Sequence, residues 1–92
     1  MTDARYEIVL VPPARRALSD RLPQAVAIAA IEFMTTALID NPQRVGKPLR
    51  FDLAGIWSAR RGTYRVLYRI DETAHEVIVL RIEHRGDAYR SW

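Results

Sequence analysis

The stretch Tyr64-Arg65-Val66-Leu67-Tyr68-Arg69-Ile70 constrains this chain more than any other. Aromatic and β-branched residues recur at every second position, the side-chain period of a strand and not of a helix. Tyr64, Val66, Tyr68 and Ile70 then share one face, and Arg65, Leu67 and Arg69 share the other. Such a strand needs a sheet covered by apolar groups on one side and open on the arginine side. A slip of one residue would turn every one of these side chains over.

The cover is supplied by the first half of the chain. Tyr6-Glu7-Ile8-Val9-Leu10-Val11 reads as a strand stopped by Pro12-Pro13. Those prolines also suit the opening of a helix. Ala14–Arg21 reads as a short helix closed ahead of Pro23. A second helix runs from Pro23 to about Asp40 and ends at Asn41-Pro42. At about 100° per residue, Gln24, Glu32, Thr35, Thr36 and Asp40 form its polar side. Val26, Ala27, Ala30, Phe33, Met34, Ala37 and Leu38 fall opposite and are assigned to the core. Ile28 and Ile39 lie on the polar side, either as scattered exposed residues or as part of a partner surface.

The second half is strand-rich. Short strands fit Leu49–Leu53 and Ile56–Ala59, ahead of the Tyr64–Ile70 strand. Asp71-Glu72-Thr73-Ala74-His75 forms a hairpin loop, and Glu76–Glu83 a last strand. Val77–Leu80 is apolar on both faces, which predicts a central or covered strand. The order is β-α-α-β-β-β, an α+β fold with a helical hairpin packed on one face of a small, mostly antiparallel sheet. Residues 1–92 are expected to form a single domain, since a core at this size is modest.

Composition narrows the chemistry. The chain has no cysteine, so no disulfide framework or cysteine metal site is expected. No Asp, Glu or His cluster has metal-ligand spacing, so no metal or cofactor is expected. MTDARYEIVLV lacks the order of a signal peptide, and the apolar run Ala25–Ile31 is too short for a bilayer. A cytoplasmic protein with no membrane contact is the expectation.

Charge is unevenly spread. Residues 44–65 carry Arg44, Lys47, Arg50, Arg60, Arg61 and Arg65 against Asp52, a net +5, whereas residues 1–43 and 66–92 are each −1. This local excess points to a phosphate-rich partner, with Lys47, Arg50, Arg60 and Arg61 as candidate phosphate contacts. Thirteen of the fourteen basic residues are arginine. That suits bidentate phosphate binding, and a GC-rich genome would produce the same bias.

Several pieces occur in a telling order: Asn41-Pro42, Gly46-Lys47-Pro48-Leu49, Asp52-Leu53-Ala54-Gly55-Ile56-Trp57-Ser58-Ala59-Arg60-Arg61-Gly62, Tyr64-Arg65-Val66-Leu67-Tyr68, and Ile82-Glu83-His84-Arg85-Gly86-Asp87-Ala88-Tyr89-Arg90. In this order and spacing the chain resembles the RelE/ParE toxin superfamily, and within it the RelE-like toxins of type II toxin–antitoxin systems. The resemblance covers nearly the whole chain. It implies a microbial-ribonuclease-like fold, cleavage of messenger RNA on the ribosome with inhibition of translation, and neutralisation by a cognate antitoxin.

Metal-independent RNA cleavage uses the neighbouring 2′-hydroxyl as nucleophile. It needs a base for that proton, an acid for the 5′-oxygen and cations for the developing phosphorane charge. The resemblance implies that Arg65 contacts the scissile phosphate; the alternative is a strand-face arginine in a salt bridge. It implies a second phosphate contact from Arg85. Tyr89 matches a C-terminal tyrosine that stacks on a base or assists proton transfer; the alternative is a tail aromatic packed on the sheet. His84 stands where some relatives have a histidine acting as general acid, and its titration range suits that work; the alternative is a surface histidine. The best-known relatives carry two lysines, two residues apart, in the strand before the Tyr-Arg strand. Ile56 and Ser58 stand there in this chain, so the general base is unassigned.

Two other functions remain open. A ParE-like inhibitor of DNA gyrase shares the fold without nuclease chemistry. A catalytically weak member that only binds antitoxin or RNA is the other. In each case an amphipathic acidic antitoxin segment is expected to dock on the helical hairpin and sheet edge, touching Ile28.

Overall fold

The computed structural model describes residues 5–84. Strand β1 (Glu7–Leu10) leads into helix α1 (Pro12–Arg16), which continues as a wider π-helical turn over Ala17–Arg21. Helix α2 (Gln24–Phe33) also continues in π-helical form over Met34–Leu38, and short helix α3 (Pro42–Val45) follows. The rest is β2 (Lys47–Pro48), a 3₁₀ turn at Phe51–Leu53, β3 (Trp57–Arg61), β4 (Tyr64–Asp71) and β5 (Glu76–His84). The five strands form one sheet in the order β1-β5-β4-β3-β2. β1 runs parallel to β5, and the other pairs are antiparallel. The α+β architecture is the one expected, and the two-sided apolar run of β5 lies inside the sheet. No helix of the described residues is long and apolar enough to cross a membrane.

Small residues let the helices approach the sheet closely. Ala14, Ala17, Ala27 and Ala30 are all buried and form one core with Phe33, Met34, Leu38, Val66, Tyr68, Val77, Val79 and Ile82. The core side of α2 is the one its periodicity predicts, with Val26 and Ala37 half-buried at its margin. The widening after Phe33 has a local cause. Thr35 and Thr36 donate their hydroxyls to the carbonyls of Ile31 and Glu32, at 2.7 and 2.6 Å. Such back-bonding competes with the helical backbone and loosens its ladder.

Three expectations need correction. The first helix opens at Pro12 rather than Ala14, because a proline needs no amide partner in the first turn. The expected strand Leu49–Leu53 does not form. Phe51 takes φ 59°, which ends extended structure, and the Leu49 amide donates to the Ile56 carbonyl as the chain turns back. The next strand, expected at Ile56–Ala59, runs Trp57–Arg61 instead. It ends in a two-residue turn whose Gly62 has φ 56°, the left-handed geometry that hairpins require.

One buried contact joins the two halves of the chain. The Tyr68 hydroxyl donates to the Pro42 carbonyl at 2.6 Å, tying β4 to the start of α3. Gly46 lies directly over this bond. Its backbone angles, φ −128° and ψ −178°, suit any residue. Space is the constraint, because a β-carbon there would collide with the Tyr68 hydroxyl and crowd the Ser58 carbonyl at 3.0 Å. At the far end of the sheet Tyr6 stacks on His75 with ring centroids 3.9 Å apart and donates its hydroxyl to Glu72 at 2.7 Å.

Gly46→Ala is expected to destabilise the fold by about 1–3 kcal/mol, read as a lower urea midpoint. Burial pushes the Tyr68 phenol from 10.0 up to about 12. The folded state therefore holds this proton more tightly than the unfolded one. Stability should be fully present below pH 10 and fall as pH rises through about 12, by roughly 2–3 kcal/mol. Burial also raises Tyr64, so urea melts of Tyr68→Phe across this range should show a shallower fall rather than none.

Candidate functional site

The uncovered face of the sheet is built by register. Arg60 of β3 lies opposite Arg65 of β4, and Arg65 opposite Glu83 of β5. The next rung holds Lys47, Ser58, Leu67 and Arg81. Directly paired residues point to the same side of a sheet. Lys47, Arg60, Arg65, Arg81 and Glu83 therefore share the face opposite the helices.

A β-bulge makes this possible. Leu67 pairs with Arg81 and Tyr68 with Val79, so Leu80 is an extra residue in β5. Val77 and Val79 point into the core before the bulge, and Ile82 does so after it. Strict alternation from Val79 would have driven Arg81 and Glu83 inward. The bulge instead brings both to the open face, a common use of such irregularities next to functional sites.

Glu83 anchors the cluster. Its Oε1 accepts from Arg65 Nη2 at 2.6 Å and from Arg65 Nε at 3.2 Å. Its Oε2 lies 3.8 Å from Arg81 Nε. The side chains of Arg65 and Arg81 remain 42% and 53% exposed, whereas that of Glu83 is 17% exposed. The carboxylate thus sits low between two guanidinium groups that still reach solvent. Arg60 faces Arg65 across the ladder, an unfavourable like-charge juxtaposition that the pairing of Arg65 with Glu83 offsets.

The other expected site residues separate. Arg61 follows Arg60 and so turns to the helical side, where its guanidinium stacks over the Phe33 ring at 4.7 Å. His84 pairs with Tyr64, a core-facing residue, and so belongs to the helical side rather than to the Arg65 face. Arg50 is exposed in the loop before Phe51 and pairs with no strand of the Arg65 face. Ile28 is 57% exposed on α2, and Ile31 joins it at 45%. Ser58 lies on the open face one rung from Arg65, and Ile56 precedes β3. Arg85 and Tyr89 lie outside the described residues. Glu83 and Arg81 were missed from the sequence, because only the bulged register reveals that they meet Arg65.

Comparison with known proteins shows the family to which this fold belongs. The model of the ParE toxin of the type II toxin–antitoxin system parDE matches residues 11–89. The chain belongs to this RelE/ParE family of type II toxins. It is similar to Toxin RelG of Mycobacterium tuberculosis, 51% identical over 85 residues, covering 92% of this chain and 97% of that protein. It is also similar to Toxin RelE of the same organism, 47% identical over 88 residues, covering 96% and 90%. Among solved structures, a chain of the toxin–antitoxin complex RelBE2 from M. tuberculosis superposes with a TM-score of 0.85 at 49% identity, covering 88% of this chain and 99% of that one.

The two arginines of the β3 end should behave differently. Arg61→Ala is expected to cost about 0.5–1 kcal/mol through the lost stacking on Phe33, seen as a thermal midpoint lower by a few degrees. Arg60→Ala should leave the midpoint unchanged or raise it, since it removes a like charge opposite Arg65.

Proposed function

We propose that this toxin is a ribosome-dependent messenger RNA endoribonuclease that inhibits translation by metal-independent, 2′-hydroxyl-mediated cleavage. The observation that carries this reading is the Arg60–Arg65–Glu83 row on an uncovered sheet face, with Arg81 beside it. Closely set guanidinium groups on a rigid sheet can hold a phosphate and stabilise the charge of its phosphorane. Arg65 contacts the scissile phosphate in this scheme, and Arg85 adds a second contact. Tyr89 stacks on a base or returns a proton to the 5′-oxygen. His84 can supply that proton only by reaching round the end of β5 from the helical side. Lys47 and Arg60 bind the message or ribosomal RNA along the same face, with Arg50 and Arg61 as outlying basic contacts.

The toxin partner in this scheme is a cognate antitoxin. The similarity to a chain of the RelBE2 toxin–antitoxin complex supports it. The adjacent, exposed Ile28 and Ile31 on α2 offer an apolar strip for an amphipathic antitoxin segment. A second reading, gyrase inhibition, is favoured by the ParE description of the matching family model. Purified gyrase separates the two, since trapped cleavage complexes would support gyrase inhibition and unaffected supercoiling would remove it.

The deciding experiment is induction without antitoxin, followed by mapping of message 5′ ends with and without ribosome engagement. New ends that depend on ribosomes are expected. Arg65→Ala should lower cleavage by about 100-fold or more and relieve growth arrest while the protein still melts cooperatively. Full toxicity in that variant would remove Arg65 from the site.

A further inference from the structure

We propose that Glu83 is the general base of the cleavage reaction, a role that rests on the nuclease reading above. Ile56 and Ser58, where the resemblance implied a pair of lysines, cannot take a proton at neutral pH. A replacement must lie on the same face as Arg65 and within reach of a phosphate that Arg65 holds. Among the described residues joined to Arg65 by a hydrogen bond or ion pair, Glu83 is the carboxylate.

Its geometry suits the task. Arg65 engages Oε1 through two of its nitrogens, at 2.6 and 3.2 Å, which fixes the carboxyl group. Oε2 lies 3.8 Å from Arg81 Nε, beyond hydrogen-bonding distance, and keeps lone pairs for another donor. A phosphate bound by the outward nitrogens of Arg65 and Arg81 would bring its neighbouring ribose against that oxygen. The sheet holds all three side chains on adjacent strands, so little reorganisation accompanies the reaction.

The step balances without another reactant. Oε2 of Glu83 takes the proton of the 2′-hydroxyl, and the 2′-oxygen attacks phosphorus. The bond from phosphorus to the 5′-oxygen breaks, and the leaving oxygen receives a proton from the general acid. The products are a 2′,3′-cyclic phosphate and a 5′-hydroxyl end, and later loss of the Glu83 proton to solvent restores the carboxylate. Arg65 and Arg81 balance the charge that grows on the phosphorane.

A purely structural Glu83 would act by holding Arg65 in place, and Glu83→Gln separates the two roles. The glutamine carbonyl still accepts from Arg65, but the amide cannot take a proton. The test is single-turnover cleavage of a short message on programmed ribosomes across pH, with thermal melts as a check on folding. A general base predicts a loss of about 100-fold or more in Glu83→Gln and disappearance of the acidic limb of the pH–rate profile, with message affinity retained. Glu83→Asp, which keeps the carboxylate on a shorter stem, should recover part of the rate. Cleavage by Glu83→Gln within a few-fold of the parent, with an unchanged profile, overturns the proposal and leaves the nuclease reading standing. Absence of cleavage by the parent protein overturns both.

Discussion

The bond from Tyr68 to the Pro42 carbonyl sets the phase of everything around it. Tyr68 is fully buried, and its hydroxyl donates to the Pro42 carbonyl at the base of α3. Leaving that carbonyl unsatisfied in a dry core would cost about 1–3 kcal/mol. The bond therefore commits Tyr68 to the helical side. In a strand of period 2, that commitment also turns Tyr64 and Val66 inward and Arg65 outward. Gly46 keeps the space open in which the contact is made. Trp57, stacked on Tyr68 with centroids 6.5 Å apart, extends the same registration to β3.

The bulge at Leu80 does for β5 what Tyr68 does for β4. It allows one strand to contribute Val77, Val79 and Ile82 to the core and still present Arg81 and Glu83 on the open face. The result is a charged cluster held by rigid neighbouring strands rather than by loops. Positive charge that is merely abundant along residues 44–65 becomes concentrated where Arg65 and Arg81 flank one carboxylate and Arg60 lies opposite Arg65 on the next strand. Arg61 shows the contrast. One position along the same strand, it serves the packing of α2 through Phe33.

Strain is tolerated at the loop before β3. Phe51 adopts φ 59° and remains 91% exposed, so its ring offsets nothing by burial. A left-handed backbone costs about 1–2 kcal/mol for such a residue. Backbone bonds from Leu53 to Arg50, Ala54 to Phe51 and Leu49 to Ile56 hold the turn closed despite that cost. The expected strand there failed for this reason, since β-propensity at Leu49–Leu53 lost to hydrogen bonding within the turn.

The sequence by itself determined the architecture. Period 2 in Tyr64–Ile70, the apolar side of α2 and the proline stops at Pro12-Pro13 and Asn41-Pro42 are local signals, and each acts within a few residues. They suffice to define a helical layer, a sheet and an arginine-bearing open face. Tertiary structure alone decided which charged groups meet on that face. The pairing of Arg65 with Glu83, the turning of Arg61 and His84 to the helical side and the exposure of Arg81 all depend on cross-strand register and on one extra residue at Leu80. Register arises from the simultaneous satisfaction of the core and the backbone ladders of several strands, and no local pattern encodes that sum.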